Sequence, residues 1–384
     1  ITVSGALGTG AQIGVTTAKE LADGSYLTIA KGIDKNSSKY TLTETDLKAF
    51  TSDSSYGKRL NGNSIIFTKG DLHIHALCGA SCTHTGTHSE VVWQPLTYDA
   101  KTQTLYYGGT AVPNEVKEHI TGYDENNNAV RGKYRLHTLP SGNYYLTEDI
   151  TLAGGTVGQD EIVGSEIYIK GYDANVNLCL NGHTLSATNA NSAVISVKET
   201  QKLTMCDCEG GGKLQTAANG NIVVQAYGDS DNNRKGTFTM YGGTISGARF
   251  GVWANNSCGS FNMFGGTITG NENGVSISSN ASFTIGGTVN ITGNTKNVDL
   301  AENETITIDK SLTQDARIGI TIAKEPTAEA PVQFAAGANN AALDYTGIFT
   351  PDAKNKSYVV SKGGDGSLFL GLHQHSWSYT ANGA

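Results

Sequence analysis

The feature that most constrains the fold is a repeat near the middle of the chain, with a period of roughly 23 residues. Three consecutive segments, residues 238–260, 261–282 and 283–305, each begin with phenylalanine. Apolar and polar residues alternate within them, which is typical of strands with one buried face. The recurring apolar columns are Phe238/Phe261/Phe283/Ile306, Met240/Met263/Ile285/Ile308, Val252/Val275/Val298 and Ala254/Ile277/Leu300. Glycine and asparagine interrupt each segment, so each one predicts several short strands joined by turns.

A repeat of this length without a helix predicts an all-β fold, a parallel β-helix of about 23 residues per rung. Each rung would cover the apolar columns of its neighbour. Leucine-rich repeats have a similar period, but their Leu and Asn pattern is missing. Asn271 and Asn294 fall in equivalent turns, which predicts a ladder of stacked amides.

Earlier rungs are less regular. Residues 176–186 and 202–214 fit the same columns, with Val176 and Leu203 beneath Phe238. Residues 217–236 break the pattern and are predicted to be a loop inserted into one rung. We therefore expect the β-helix to span about 140–309.

A second repeat has a much longer period. Residues 1–20 are identical to residues 306–325 at ten of twenty positions, and 49–53 resembles 348–352. This predicts a piece of a tandem array of modules. The expected parts are a small β domain at 1–70 (tail of a preceding module), a Cys/His-containing N-terminal segment at 71–139, the β-helix at 140–309, a small β cap at 310–372 and the start of a next module at 373–384. Whether 1–70 packs on the β-helix stays open.

Composition narrows the class of partner. The net charge is −8 and no cluster of basic residues could neutralise phosphates, which argues against nucleic acid. No apolar run approaches the length that a membrane-spanning helix needs, so we expect no membrane insertion. Glycine is abundant at 48 residues and proline rare at 6, which suits turn-rich β structure. We expect a monomer.

Several motifs together carry a family resemblance. They are "LNGHTL" (180–185), "GGTISG" (242–247), "GGTITGN" (265–271), "LPSGNYYLTEDITL" (139–152) and "HIHALCGASCTHTGTH" (73–88). These stretches resemble large repetitive surface proteins of gut-dwelling Firmicutes, over most of residues 70–375. The resemblance implies right-handed parallel β-helix domains, an extracellular place on the bacterial surface and no enzymatic activity, and the alternation within the flanking residues adds small β domains on either side. Some immunoglobulin-binding, superantigen-like surface proteins of gut commensals are similar in style.

Many β-helix proteins cleave polysaccharides, so an enzyme is the main alternative. A lyase needs clustered carboxylates for calcium and a nearby basic residue, and a hydrolase needs paired carboxylates on adjacent rungs. Outward positions here are mostly Thr, Ser, Asn and Gly, and Asp207 and Asp299 lie several rungs apart. His183 follows a glycine as in pectin-degrading hydrolases, but their aspartate cluster is missing, so we interpret it as a surface histidine.

A cluster of cysteine and histidine is the sharpest local chemistry. Six candidate ligands fall within one short stretch: His73, His75, Cys78, Cys82, His84 and His88. Two thiolates and two imidazoles would satisfy tetrahedral structural zinc. The spacing is not that of a standard zinc finger, and a Cys78–Cys82 disulfide in an exported protein is the rival hypothesis. A third reading, neither metal nor disulfide, also stays open.

Cys179 and Cys206 occupy one predicted outward column on adjacent rungs. Parallel strands lie about 4.8 Å apart, near the separation that a disulfide requires, so bonded and reduced forms are both open. Cys208 and Cys258 have no evident partner in the pattern.

Two sets of aromatic residues are candidate binding residues. The column of Cys206 continues with Tyr241 and Phe264, which are predicted to stack on the solvent side of neighbouring rungs. On another face Arg249, Phe250 and Trp253 cluster at one rung. Exposed aromatics beside an arginine are typical of interface anchors. The alternative is that residues 217–236 or 90–135 fold over them.

The sequence thus favours a non-enzymatic cell-surface adhesion module that recognises a host immunoglobulin or a mucin-type glycoprotein. A glycan-active β-helix enzyme is one alternative. A structural spacer that binds nothing is the other.

Overall fold

The computed structural model gives a chain that is nearly all β, with two short helices in the described residues. It describes residues 1–18, 21, 25–33, 39–52, 56–61, 63–69, 93–123, 125, 128–153, 155–157, 160–188, 193–229, 231–232, 234–255, 258–327, 329–340, 343–352 and 358–373. The chain forms two compact units, residues 1–95 and 96–384. Neither helix in this part of the chain is long or apolar enough to cross a bilayer.

The first unit contains one helix among short strands. Its elements are β1 (Thr2–Val3), β2 (Ile13–Val15), β3 (Ser25–Gly32), α1 (Glu44–Ala49), β4 (Phe50–Ser52), β5 (Gly57–Asn61) and β6 (Ser64–Lys69). Four strands form a sheet in the order β1-β3-β6-β5, and β2 pairs separately with β4. A capping box starts α1, in which the Thr43 hydroxyl accepts from the Asp46 amide and the Asp46 carboxylate accepts from the Thr43 amide.

The second unit is a long series of paired strands whose core is one continuous apolar cluster. Its N-terminal elements are β7 (Trp93–Asp99), β8 (Thr104–Tyr107), β9 (Thr110–Ala111), β10 (Asn114–Tyr123), β11 (Ala129–Leu139), β12 (Gly142–Leu146), β13 (Ile150–Leu152), β14 (Gly155–Val157) and β15 (Asp160–Ile169). The middle elements are β16 (Asn175–Cys179), β17 (Thr184–Ala187), β18 (Ala193–Lys198), β19 (Lys202–Cys206), β20 (Lys213–Tyr227), β21 (Thr237–Met240), β22 (Thr244–Ala254), β23 (Ser260–Ile268), β24 (Asn273–Ile277), β25 (Ser282–Ile291) and β26 (Lys296–Leu300). The C-terminal elements are β27 (Ile306–Leu312), β28 (Arg317–Ile322), β29 (Val332–Ala336), α2 (Tyr345–Ile348), β30 (Phe349–Pro351), β31 (Tyr358–Lys362) and β32 (Leu368–Leu372).

Strands of successive repeats pair in parallel and in register. Phe238 pairs with Phe261, Phe261 with Phe283, and Phe283 with Ile306. The predicted valine column pairs in the same way, from Val252 through to Val298. We call this series, β11 to β30 without β14, the parallel stack; β14 pairs antiparallel with β15.

Aromatic rings fill the centre of the parallel stack. The Phe238 and Phe261 rings lie 5.1 Å apart at 9°, and the Phe261 and Phe283 rings lie 5.0 Å apart at 2°. All three side chains are buried. Each repeat forms one turn of the parallel stack. Successive repeats must therefore have nearly the same length, so that equivalent residues lie on top of one another.

The tight turns that join the strands stack as regularly as the strands do. Gly247, Gly270 and Gly293 all have φ between +69° and +79°, a left-handed conformation that favours glycine. The predicted amide ladder is confirmed, because the Asn271 side-chain amide donates to Asn294 Oδ1 over 3.0 Å. Asn294 donates in turn to Asn297 Oδ1 over 3.0 Å.

Two sequence expectations change. The predicted loop at 217–236 is wrong for residues 217–227, which belong to β20, and the connection to β21 begins only after Tyr227. The irregularity is a bulge, where β20 carries residues 216–219 opposite only Gly247 of β22. Parallel pairing also continues past residue 309, from β27 to β29 and from β28 to β30.

One buried polar side chain lies near the N-terminal part of the second unit. His137, in β11, is fully buried, and neither ring nitrogen has a hydrogen-bond partner among the described residues. Burial, with a smaller contribution from the Arg135 charge, lowers the pKa of His137 to about 4. The imidazole is therefore neutral in the folded protein at pH 7.

Replacing Phe261 by alanine removes the central ring of the stack. Because both neighbouring rings lose a partner and a cavity remains, we expect the free energy of unfolding to fall by about 3–5 kcal/mol in urea titrations followed by circular dichroism. Phe261→Leu is the matched control and should cost less. A loss below about 1 kcal/mol for alanine would contradict the packing described here.

The burial of His137 predicts a pH dependence of stability. Its folded pKa lies below the unfolded value, so the unfolded chain takes up more protons between pH 6.5 and about 4. The free energy of unfolding should fall across that window by up to about 3 kcal/mol from this residue. His137→Phe should remove that part of the slope, and an unchanged slope in the variant would refute the assignment.

Candidate functional site

The predicted zinc ligands are not part of the described structure. His73, His75, Cys78, Cys82, His84 and His88 all lie between residues 69 and 93, outside the described residues. The zinc and disulfide hypotheses for that segment therefore stay predictions.

Arg249, Phe250 and Trp253, which we call the aromatic patch, come together as predicted. The Phe250 and Trp253 rings stack at 5.3 Å and 20°. The Arg249 guanidinium lies 5.0 Å from the centre of the Phe250 ring. Arg249 is exposed and both rings are half-buried, so the patch presents a flat apolar surface with a cation at its edge.

Strand β22 positions the patch, and polar contacts fix its orientation. Trp253 Nε1 donates to Ser278 Oγ over 3.1 Å, which holds the indole against the next turn. Arg249 Nε lies 3.9 Å from Glu272 Oε2. In the next turn Asn273 pairs with Phe250 and Ser276 pairs with Trp253, so two polar residues follow the two aromatic ones in register.

The same face of the stack carries a second aromatic group that the sequence prediction missed. In register, Trp253 follows Gln225, Ser196 and Tyr168 of the preceding turns. Tyr168, Lys198 and Tyr227 form what we call the tyrosine–lysine cluster. Lys198 Nζ lies 4.0 Å from the centre of the Tyr168 ring and 5.4 Å from that of Tyr227.

The two phenol groups of the tyrosine–lysine cluster are held in their neutral, protonated form. Burial and then the Glu166 charge raise the pKa of both Tyr168 and Tyr227 above the usual range. Burial lowers the pKa of Lys198, while Glu166 opposes that shift. The cluster thus offers phenol donors and one ammonium beside a depression of 190 Å³ that Tyr172 and Lys198 help to line.

Tyr241 and Phe264 contact each other as predicted. Their ring centres lie 5.5 Å apart at 32°, and both side chains are half-buried. Tyr241 follows the column of Cys206, as shown by the hydrogen bond from the Tyr241 amide to the Met205 carbonyl over 2.8 Å. The column predicted from sequence is therefore correct.

Three cysteines meet at one end of that column. Cys179, Cys206 and Cys208, which we call the thiol cluster, have sulfur atoms within 4.8 Å of one another and could hold a metal ion. Cys179 pairs with Cys206 in register, but no disulfide joins them. Both are buried although they lie in an outward column, and Cys208, for which the pattern showed no partner, does have partners.

A turn held by Asp207 explains the position of Cys208. The Asp207 carboxylate accepts from the amides of Gly182 and Gly212 over 2.8 Å and 2.7 Å. Gly210 and Gly211 take positive φ and reverse the chain. Hydrogen bonding with Cys179 and Cys208, followed by burial, raises the pKa of Cys206. The Cys206 thiol is therefore protonated near pH 7 without a metal.

The three candidate catalytic residues, Asp207, Asp299 and His183, each contact a neighbouring polar or charged group. Asp207 holds the turn just described, and Asp299 accepts from Lys296 Nζ over 2.7 Å. His183 Nδ1 lies 3.5 Å from Asp149 Oδ1. In register, the neighbours of Asp299 are Ser276 and Thr321, so its column provides no second carboxylate at those positions.

The tyrosine–lysine cluster could have been found from the alternation of residues. In "EIYIK" Glu166 and Tyr168 alternate with buried isoleucines, and in "ISVK" Ser196 and Lys198 do the same with buried apolar residues.

Comparison with protein-family models, curated proteins and solved structures gave no match to the chain.

Proposed function

We propose that this chain is a bacterial cell-surface binding module, part of a tandem-repeat array, that recognises a host immunoglobulin or mucin-type glycoprotein. The module is extracellular and non-enzymatic. Its scaffold is a right-handed parallel β-helix, and its ligand surface is the aromatic patch.

Parallel pairing between equivalent positions of successive repeats supports the β-helix scaffold. A continuous core also runs through the successive turns. A rigid stack of this kind keeps outward side chains in fixed columns, which suits the display of a binding surface. Right-handedness rests on the family resemblance.

The stacked, half-exposed pair of Phe250 and Trp253 carries the functional proposal. Aromatic rings and arginine are enriched where partners bind, and aromatic rings bury a large area at a small entropic cost. The patch offers an apolar plane with a cation at its edge, which suits either a sugar ring or an apolar side chain with an acidic neighbour.

Two alternatives stay distinguishable from this proposal. A glycan-active enzyme draws support from Tyr168 and Lys198 beside the buried Glu166 carboxylate, since phenol and amine groups can transfer protons. A structural spacer would need none of the half-exposed rings of the aromatic patch.

We propose that the thiol cluster binds a structural thiophilic ion, with zinc as the first choice. Zinc–sulfur bonds of about 2.3 Å place tetrahedral ligand atoms roughly 3.8 Å apart, so sulfurs within 4.8 Å need only a small contraction. A bound ion would cross-link two turns of the stack.

Trp253→Ala should weaken binding at least tenfold against a panel of immunoglobulins, mucins and glycans, because it removes half of the stacked pair. Tyr106→Ala, a half-buried tyrosine in β8, is the control and should bind as the wild type does. The double variant Tyr241→Ala/Phe264→Ala tests the second predicted surface. Undiminished binding by Trp253→Ala would exclude the patch, glycan cleavage would favour the enzyme, and no binding at all would favour the spacer.

Zinc or cadmium titration tests the thiol cluster. Cys206→Ser should lose one bound ion and its thiolate absorption band, while Cys258→Ser should keep both. Since a metal must displace protons from thiols of raised pKa, affinity should fall steeply as the pH drops. Equal binding by the two variants would refute this site. A Cys78→Ser/Cys82→Ser variant separates any ion held by residues 73–88.

A further inference from the structure

The long-period sequence repeat corresponds to a folding unit that occurs twice. In the first unit β1 pairs in parallel with β3, β3 antiparallel with β6, and β6 antiparallel with β5. The same relations join β27 to β29, β29 to β32 and β32 to β31. Each copy also has a short helix leading directly into a strand that pairs in parallel with an earlier strand: α1 and β4 with β2, α2 and β30 with β28.

The second copy has a neighbour on its open side. Strand β27 pairs in parallel with β25, through Phe283 to Ile306 and Ile285 to Ile308. Strand β28 pairs in parallel with β25 and β26, through Ile291 to Ile318 and Val298 to Ile320. The last turn of the repeat, residues 283–305, therefore covers both leading strands of this copy.

The first copy lacks that cover in the described part of the chain. There, β1 pairs only with β3, and β2 pairs only with β4. Their outer edges present backbone donors and acceptors of the kind that invite another strand.

Burial of aligned residues measures the difference between the copies. Ile306 is 0 % exposed, whereas its counterpart Ile1 is 62 % exposed. Ile318 and Ile320 are buried, whereas their counterparts Ile13 and Val15 are half-buried. Val3 does not show this difference. It is buried like its counterpart Ile308, because it packs in the core of its own unit.

We propose that the outer edge of β1 and β2 is a docking surface for one turn of a parallel stack with the sequence pattern of residues 283–305. The occupant pairs in parallel with both strands and covers Ile1, Ile13 and Val15. It is recognised by its apolar columns and strand spacing, as residues 283–305 recognise β27 and β28.

Other occupants fit less well. A single extended peptide could pair with β1 or with β2, but two edges in separate sheets need two strands joined by a turn. In the second copy β25 and β26 supply those strands within a single repeat. The intact stack of a second chain does not offer a turn of this kind, because its own 306–322 segment already covers it.

Fusion tests the proposal on the full chain. Residues 238–305 are placed directly before Ile1, so that the added Thr305 precedes Ile1 as Thr305 precedes Ile306 in the natural sequence. Three repeats are supplied because single repeats do not bury their own apolar face. Amide hydrogen exchange of Thr2, Val3 and Ile13–Val15 is then compared with that of the unextended chain.

We expect exchange at these amides to slow at least tenfold. The matched control is Ile1→Asp, which should leave the unextended chain unchanged because Ile1 is mostly exposed there. In the extended chain the same change should abolish the protection, since the carboxylate would be buried. Unaltered exchange in the extended chain, whether or not the extension folds, would overturn the proposal. Protection that survives Ile1→Asp would overturn it equally.

Discussion

Contact between identical apolar side chains of successive turns is the interaction on which the rest of the structure depends. Phe238, Phe261 and Phe283 stack with ring centres 5.0 or 5.1 Å apart, close to the spacing of neighbouring strands. Hydrogen bonding of the parallel strands fixes the same spacing. Both requirements are met only when successive turns have nearly the same length. A change in the length of one repeat would therefore shift the strand register and turn its side chains to the other face.

That coupling determines where function can be located. Inward positions are committed to the core, so chemistry is confined to outward columns and to the turns between strands. Trp253 stands at the position that Ser276 occupies one turn later, and Phe250 at that of Asn273. The scaffold tolerates such exchanges because outward residues contribute little to the core. Binding residues can therefore change between turns while the apolar columns stay constant.

Regular turns could be predicted from sequence, and irregular ones could not. The columns from Phe238 to Ile306 and the Asn271–Asn294 ladder follow directly from periodicity. The bulge in β20 could not be recognised from sequence. Extra residues break the period of the repeat in the same way whether they form a bulge within a strand or a separate loop. Burial of Cys179 and Cys206 also escaped prediction, because alternation along a strand does not show what covers an outward position. The aromatic patch was found because its members are close in sequence, whereas Tyr168, Lys198 and Tyr227 come from three turns.

Cross-linking tests the stacked register most directly. Thr239 pairs with Asn262, and Asn262 pairs with Thr284 one turn further. With native cysteines replaced by serine, Thr239→Cys/Asn262→Cys should form a disulfide on mild oxidation, because adjacent strands bring Cα atoms within about 5 Å. Thr239→Cys/Thr284→Cys spans two turns, roughly 10 Å, and should stay reduced. Equal oxidation of the two pairs, or oxidation of the second alone, would contradict the parallel stack.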